Sequence, residues 1–389
     1  MIVETMTREE RLRATVKLER VDRVPVVPLI GQFALRQHRM SSLPSGAGTS
    51  VDWRRILDVF HANYDELGGY DARYVAGVAW PRSSWRVNGP RGGKRVTPGE
   101  GGIPKDFSVQ WEEREIMTTE DYDTIIDKGW NGFLEQQIPR VTSQSIEQED
   151  AAQKALLKTY LQDVREWNQR GVPVMCGALV ISCEMTLSLA RTLPRFSMDI
   201  HRFPDKVQAA LEAMVPDFIS NAIADIQESG IPWVNISLER GSGSYFNLKT
   251  YERFFFPQLK RIVEALTARG LICVLHMDTN WTLNLPYLKH LPRAMCICEL
   301  DGTSDIFKAK EILHGHMCIM GDVPASLLSL GTPDEVCEYC EKLVDVVGKD
   351  GGFILSSGCE VPIDAKFENV RAMIDTAKNH TAPVSKKDG

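Results

Sequence analysis

From about residue 155 onward, short apolar runs alternate with long amphipathic stretches, and this alternation constrains the chain's fold more than any other feature. The runs are MCGALVIS (175–182), WVNISLE (233–239), LICVLHMD (271–278), MCICELD (295–301), MCIMGDV (317–323) and FILSSGC (353–359). Helical patterns over 204–228, 248–269 and 333–348 lie between several of them. Strands separated by helices pair in parallel as βα units. Upstream, VPVVPLI (24–30) and residues 72–79 supply two further strand candidates. That makes eight, the number that closes a (β/α)8 barrel. An open doubly wound sheet is the rival, but no strand runs into the G-x-G-x-x-G turn that would support it. The expectation is an α/β chain forming one (β/α)8 TIM barrel over 1–389, with an N-terminal extension. Residues 7–17 read as a helix capped by Thr7, and 51–65 as another. The Gly/Pro/Arg-rich stretch over 80–110 reads as a flap or hairpin excursion, and 141–153 as an exposed polar connector.

Charge and composition narrow the class. Lys and Arg number 45 against 52 Asp and Glu, a net charge of −7, so the electrostatic footprint of a nucleic-acid binder is missing. No apolar run approaches the roughly 18 residues of a membrane span. The opening MIVETMTREERLR has no apolar stretch of the secretory kind, so a cytoplasmic protein is expected. The nine cysteines are an odd number, and several fall inside apolar runs, which suits reduced thiols better than a disulfide framework.

Polar residues gather where the runs end. Glu239, His276 with Asp278, Glu299 with Asp301, Asp322 and Cys359 all stand at or just past those C-terminal ends. In a barrel these ends converge on one mouth, where active sites are built. Histidine, carboxylate and thiolate are also zinc donors. Each has an ordinary alternative. His276 can bond a backbone carbonyl, Asp278 can orient His276, Glu299 can pair with an arginine, and Cys359 can be a small buried thiol. Cys296 and Cys298 alternate with apolar residues and read as core, while Cys337 and Cys340 fall within a helical run.

The stretches NLKTYERFFFPQLKRIVEAL, VLHMDTN, CELDG, HMCIMGDVPASLLSLGTPDEV and GGFILSSGCEVPIDAKFENVRAMI, with the opening TREERLRATVKLERVDRVPVVP, resemble the uroporphyrinogen decarboxylase superfamily. The likeness is to its cobalamin-dependent methyltransferase branch, O-demethylase methyltransferases included, and it implies the same barrel. Decarboxylases of the family carry an arginine-rich signature after the first strand. Here Ile30 to Arg39 reads IGQFALRQHR, which keeps only Arg36 and Arg39. The methyltransferase branch uses a zinc site of the form His-x-Cys, then an acidic residue, then a distant Cys. The resemblance therefore implies His276, Glu299 and Cys359 as ligands, with Asp278 where the first Cys would stand.

A carboxylate in place of a thiolate makes zinc a harder Lewis acid, better matched to an ether oxygen than to a thiol. Asp278 is thus a catalytic candidate as well as a ligand. Glu239 aligns with an acidic position facing the pocket and is the second catalytic candidate. The implied function is zinc-dependent transfer of a methyl group from a small methoxylated, aromatic substrate to the Co(I) of a separate corrinoid protein. Cobalamin is placed on the partner because Asp199-Ile200-His201 leads to Pro204, where the D-x-H-x-x-G corrinoid motif needs glycine. Phe33, Trp80, Trp85 and Tyr245 are candidates for an aromatic pocket. The rivals are a metal-independent decarboxylase-type lyase, a thiol-coenzyme methyltransferase taking methyl from a corrinoid protein, and a binding subunit of a methyl-transfer complex. A homodimer is compatible with all of them.

Overall fold

The computed structural model describes residues 4–40, 53–74, 93–96, 102, 104, 110–141 and 146–380. Strand β1 (Gly93–Val96) pairs antiparallel with β2 (Gln110–Glu113), inside the stretch read as a flap. Six strands then form a parallel sheet in sequential order: β3 (Ala178–Ile181), β4 (Trp233–Ser237), β5 (Ile272–Met277), β6 (Cys296–Leu300), β7 (Cys318–Asp322) and β8 (Phe353–Ser356). Each lies within one of the six apolar runs. Every residue of these six strands is buried. That is why the runs are continuous rather than alternating: a parallel sheet is covered on both faces.

The two upstream strand candidates appear as isolated bridges. Val26 bridges Leu355, Leu29 bridges Glu360, and Arg73 bridges Val174, all in parallel. The Val27 amide donates to the Leu355 carbonyl at 2.9 Å, and the Arg73 amide to that of Pro173 at 2.9 Å. Between them, the Asp71 amide donates to Val26 O at 2.8 Å. The bonds run round a ring of eight staves, two of them short, an arrangement consistent with a (β/α)8 barrel. The first stave is short because Pro25 and Pro28 have no N–H to give to a ladder. Residues 75–79, five of the eight in the second candidate, lie outside the described residues.

Helices form the outer layer. Arg8–Val16 starts at Thr7 with a full capping box to Glu10, and Pro333–Val346 starts at Thr332 with another to Glu335. The expected helix over 248–269 is interrupted. Tyr251–Phe255 forms a π turn before Phe256–Thr267, because Pro257 offers no N–H to the turn before it. The connector expected over 141–153 is helical from Ile146, within Ile146–Gln169. Its polar residues signalled a solvated helix face rather than a loop. Asp121–Val141 breaks at Gly129, whose φ of 72° favours glycine and where a Cβ would meet Asp217 Oδ2 at 2.6 Å. Among the described residues no helix is long and apolar enough to cross a membrane.

Two polar groups inside this framework set its energetics. Asp71 is fully buried. Its carboxylate accepts from Arg11 Nη1 at 2.7 Å, from Arg23 Nη1 at 2.7 Å and Nη2 at 3.0 Å, and from the Val26 amide at 2.8 Å. Asp322, expected at the mouth, instead turns outward at the end of β7. Its Oδ1 accepts from the Tyr339 hydroxyl at 2.9 Å, on the helix Pro333–Val346. Burial pushes its pKa up to about 7, against the pull of that hydrogen bond.

Asp71→Asn takes one carboxylate from two buried guanidinium groups, leaving Arg11 with Asp22 and Glu4 and Arg23 with Glu4, and should cost about 1–3 kcal/mol in urea unfolding. A loss below 1 kcal/mol would mean that the clamp is dispensable. For Asp322 the folded pKa of about 7 exceeds the ordinary 3.8, so the native state holds a proton the unfolded chain has lost. Its contribution to stability therefore falls as pH rises from about 4 to 7 and is level above. The difference in unfolding free energy between wild type and Asp322→Asn should follow that slope, and a pH-independent difference would contradict the burial argument.

Candidate metal centre

His276 is the fifth residue of β5, paired in register with Glu299 of β6. Paired residues of parallel neighbours present their side chains on the same face. Here the two meet: Glu299 Oε2 lies 2.8 Å from His276 Nδ1. The carboxylate is fully buried and accepts only, so Nδ1 carries the proton and Nε2 faces the other way. The same Oε2 also accepts from the Tyr74 hydroxyl at 2.6 Å, and Tyr74 in turn accepts from the Asn235 side-chain amide of β4.

Beyond His276 Nε2 stand Asp278 and Cys359. Asp278 Oδ1 is 3.4 Å from Nε2, Cys359 Sγ is 3.8 Å from Nε2, and Cys359 Sγ is 3.8 Å from Asp278 Oδ2. Two loops hold them. After β5, the Trp281 indole donates to Asp278 O at 2.8 Å, and the Thr279 amide donates to Asp301 Oδ2 at 2.8 Å. After β8, Gly358 takes φ 74°, and a Cβ there would lie 2.3 Å from Leu300 O. Only glycine fits that turn, which aims Cys359 at His276. The Ser357 hydroxyl donates to Cys359 O at 2.6 Å and accepts from the Leu29 amide at 3.3 Å, tying this loop to the first stave.

The spacing can be tested against a metal. A tetrahedral ion bound at about 2.0–2.3 Å sets its donors roughly 3.3–3.8 Å apart. Both separations from His276 Nε2 fall in that range, Cys359 meets Asp278 through the other carboxylate oxygen, and with one donor atom per residue the three lie within 4.8 Å of one another. Asp278 Oδ1 is buried without a hydrogen-bond partner, and Glu299 supplies the carboxylate that habitually orients a ligating histidine. The donor set of imidazole nitrogen, carboxylate and thiolate suits zinc. These residues fit the ion. Without it, burial opposes the His276 charge, but Glu299, Asp278 and Cys359 outweigh burial and raise its pKa well above the ordinary value. Burial raises Asp278, and its bond to His276 more than reverses that. Burial lifts the Cys359 thiol, against the pull of His276.

His276, Asp278 and Cys359 therefore form one cluster, the one group of potential metal-ligating residues found among the described residues. Glu299 is placed behind His276 and outside that group. Glu239 follows β4, half-buried, with its carbonyl 3.5 Å from the Thr279 hydroxyl. Asp301 caps the loops through Thr279 and Thr303. Of the candidates for an aromatic pocket, Phe33 is buried in the core and Tyr245 is 46% exposed, while Trp80 and Trp85 lie outside the described residues. Tyr74 was missed by sequence reasoning. Its one signal was a hydroxyl in a strand candidate otherwise read as apolar. Asp199, of the failed corrinoid motif, is bound to Arg191 and to the Tyr122 hydroxyl.

The uroporphyrinogen decarboxylase (URO-D) family model matches residues 138–380. Methylcobamide:CoM methyltransferase MtbA of Methanosarcina acetivorans is 26% identical over 176 residues, 45% of this chain and 50% of that protein. Its counterpart of Methanosarcina mazei shows the same identity and coverage. A uroporphyrinogen decarboxylase of Anaeromyxobacter dehalogenans is 27% identical over 124 residues, 32% of this chain and 34% of that one. The match thus spans about half the length of the first two curated relatives. Among solved structures, a methyltransferase from Methanosarcina mazei superposes with a TM-score of 0.69 at 17% identity, covering 96% of this chain and 98% of that one, a likeness of fold.

Proposed function

Because this chain belongs to the uroporphyrinogen decarboxylase family, we propose that it is a zinc-dependent methyltransferase of the family's cobalamin-dependent branch, acting in the cytoplasm. The substrate is a small methyl ether, aromatic by preference, and the acceptor is the Co(I) centre of a separate corrinoid protein. The observation that carries this reading is the spacing of His276 Nε2, Asp278 and Cys359 Sγ, with Glu299 behind His276. Relatives named as methylcobamide methyltransferases support methyl exchange with a corrinoid. Asp199 is engaged by Arg191 and Tyr122, which supports a corrinoid carried by another chain.

His276, Asp278 and Cys359 would hold the ion. Once bound, zinc supplies Lewis acidity toward an ether oxygen. Transfer would form the carbon–cobalt bond with the electron pair of the partner's Co(I) and leave the pair of the broken C–O bond on the oxygen. Glu239, in the loop after β4 with its carbonyl 3.5 Å from the hydroxyl of Thr279, the residue after Asp278, is the proposed proton donor to that oxygen. Glu299 keeps the His276 ring fixed, with Nδ1–H occupied and Nε2 free for the ion. Only Arg36 and Arg39 stand where the family's decarboxylases carry an arginine-rich run, which supports a substrate other than porphyrinogen.

The chain purified without chelator should hold about one zinc. Cys359→Ala removes a ligand without stranding a buried charge, so it should lose zinc and methyl transfer with little change in unfolding. His276→Ala should lose both and also about 1–3 kcal/mol of stability, because Glu299 loses its partner. Full zinc in both variants, or none in the wild type, would overturn the reading.

Asp278→Cys separates an ether substrate from a thiol. A thiolate donates more charge to the ion and weakens its pull on the leaving oxygen. At saturating zinc, demethylation by reconstituted Co(I) corrinoid protein should slow about tenfold or more, roughly 1.4 kcal/mol in the barrier. Restoration of the rate by added zinc would instead assign Asp278 to orienting His276. An unchanged rate at every zinc level would remove the preference for oxygen.

A further inference from the structure

We propose that Tyr74 is a positioning residue for the metal centre, acting on His276 through Glu299 from the opposite side of the ring. The inference rests on the metal-site reading above and concerns a residue that the reading does not use.

Tyr74 belongs to the second stave and Glu299 to the sixth, β6, so the two face each other across a ring of eight. The phenol is fully buried and spans that interior. Its hydroxyl donates to Glu299 Oε2 at 2.6 Å and accepts from Asn235 Nδ2. His276 Nδ1 meets the same oxygen at 2.8 Å, while Glu299 Oε1 is buried with no hydrogen-bond partner. The two carboxylate oxygens are thus unequal. One carries both donors and the other carries none.

That inequality is what Tyr74 imposes. A carboxylate holding only His276 could present either oxygen, or rotate about its last bond, and the imidazole would follow. With the hydroxyl fixed by Asn235 on one lone pair of Oε2, the other lone pair points at Nδ1 in one direction. The ring plane and the aim of Nε2 toward Asp278 and Cys359 are set with it. Outer partners of a ligating histidine typically matter 10–100-fold in metal affinity, and Tyr74 is one bond further out along the same chain. Apolar packing of the barrel interior would be served as well by phenylalanine, so the hydroxyl requires its own reason.

The experiment is a metal-competition titration of the whole chain with Zn2+ and with Co2+ against a chromophoric chelator, for wild type, Tyr74→Phe, Glu299→Gln and the double variant. Tyr74→Phe should weaken both metals about tenfold and shift the ligand-field bands of the cobalt form at saturation. In the Glu299→Gln background the same change should have little further effect, because the hydroxyl acts through that carboxylate. Equal metal affinity in wild type and Tyr74→Phe, or an undiminished loss in the Glu299→Gln background, would overturn the inference alone. A wild-type chain that binds neither metal would overturn it together with the zinc reading. If Tyr74→Phe does not fold, Asn235→Ala frees the hydroxyl while keeping the phenol. It should weaken metal binding in the same direction, and unchanged affinity there would count against the proposal.

Discussion

The ring closes on a carboxylate. Between the first and second staves a β ladder would normally supply successive N–H···O=C bonds, but among the described residues only the Asp71 amide to Val26 O is of that pattern. The Val26 amide turns instead to the Asp71 side chain, which also holds Arg11 and Arg23. Burying three charges is expensive, and an apolar substitute of equal volume is often as stable. Direction is what the carboxylate adds. It ties the N-terminal helix, the first stave and the second at one point, and so fixes the register of two staves too short to fix it themselves.

The His276–Asp278–Cys359 cluster inherits this register. Tyr74 follows Asp71 by three residues, so its reach to Glu299 depends on where Asp71 is held. Cys359 depends on the first stave through Ser357 and the Leu29 amide. The cluster therefore draws on β5, β6, β8 and both short staves. Its polar chain of Tyr74, Glu299 and His276 is buried throughout. Glu299 is tolerated there because His276, Tyr74 and its own geometry leave it few other states. Preorganised donors of this kind cost nothing to reorient when a ligand arrives.

Sequence patterning located β3 to β8 within their apolar runs, because parallel strands buried on both faces leave an unambiguous trace. It was weaker where other rules applied. Pro25 and Pro28 shortened a stave that hydrophobicity alone made continuous. The polar run after residue 145 read as a connector, although a solvated helix has the same composition. At the site, strand-end position picked out His276, Asp278 and Cys359, but it grouped Glu299 and Asp322 with them. Position along a strand does not say which way a carboxylate turns: Glu299 stands behind the imidazole, and Asp322 meets Tyr339. Tyr74 lay beyond the reach of patterning, since its meaning comes from a residue across the ring.

The bridge between the first stave and the last has a consequence for how the molecule comes into being. The Leu29 amide and the Ser357 hydroxyl are 328 residues apart in the chain. Loop-closure entropy grows only slowly with such a span, but the contact must be found after most other order exists, and topologies rich in distant pairings are slow to complete. As the chain emerges from the ribosome, its N-terminal helix and first stave have no partner in β8 until nearly all of the sequence has been made. Val26, Val27 and Leu29, each almost wholly buried at the end, pass that interval with the second stave beside them and the β8 side uncovered. The seam between the first stave and β8 is the last of the ring to close, and the vulnerable species on the folding route is an incomplete ring with two unpaired edges.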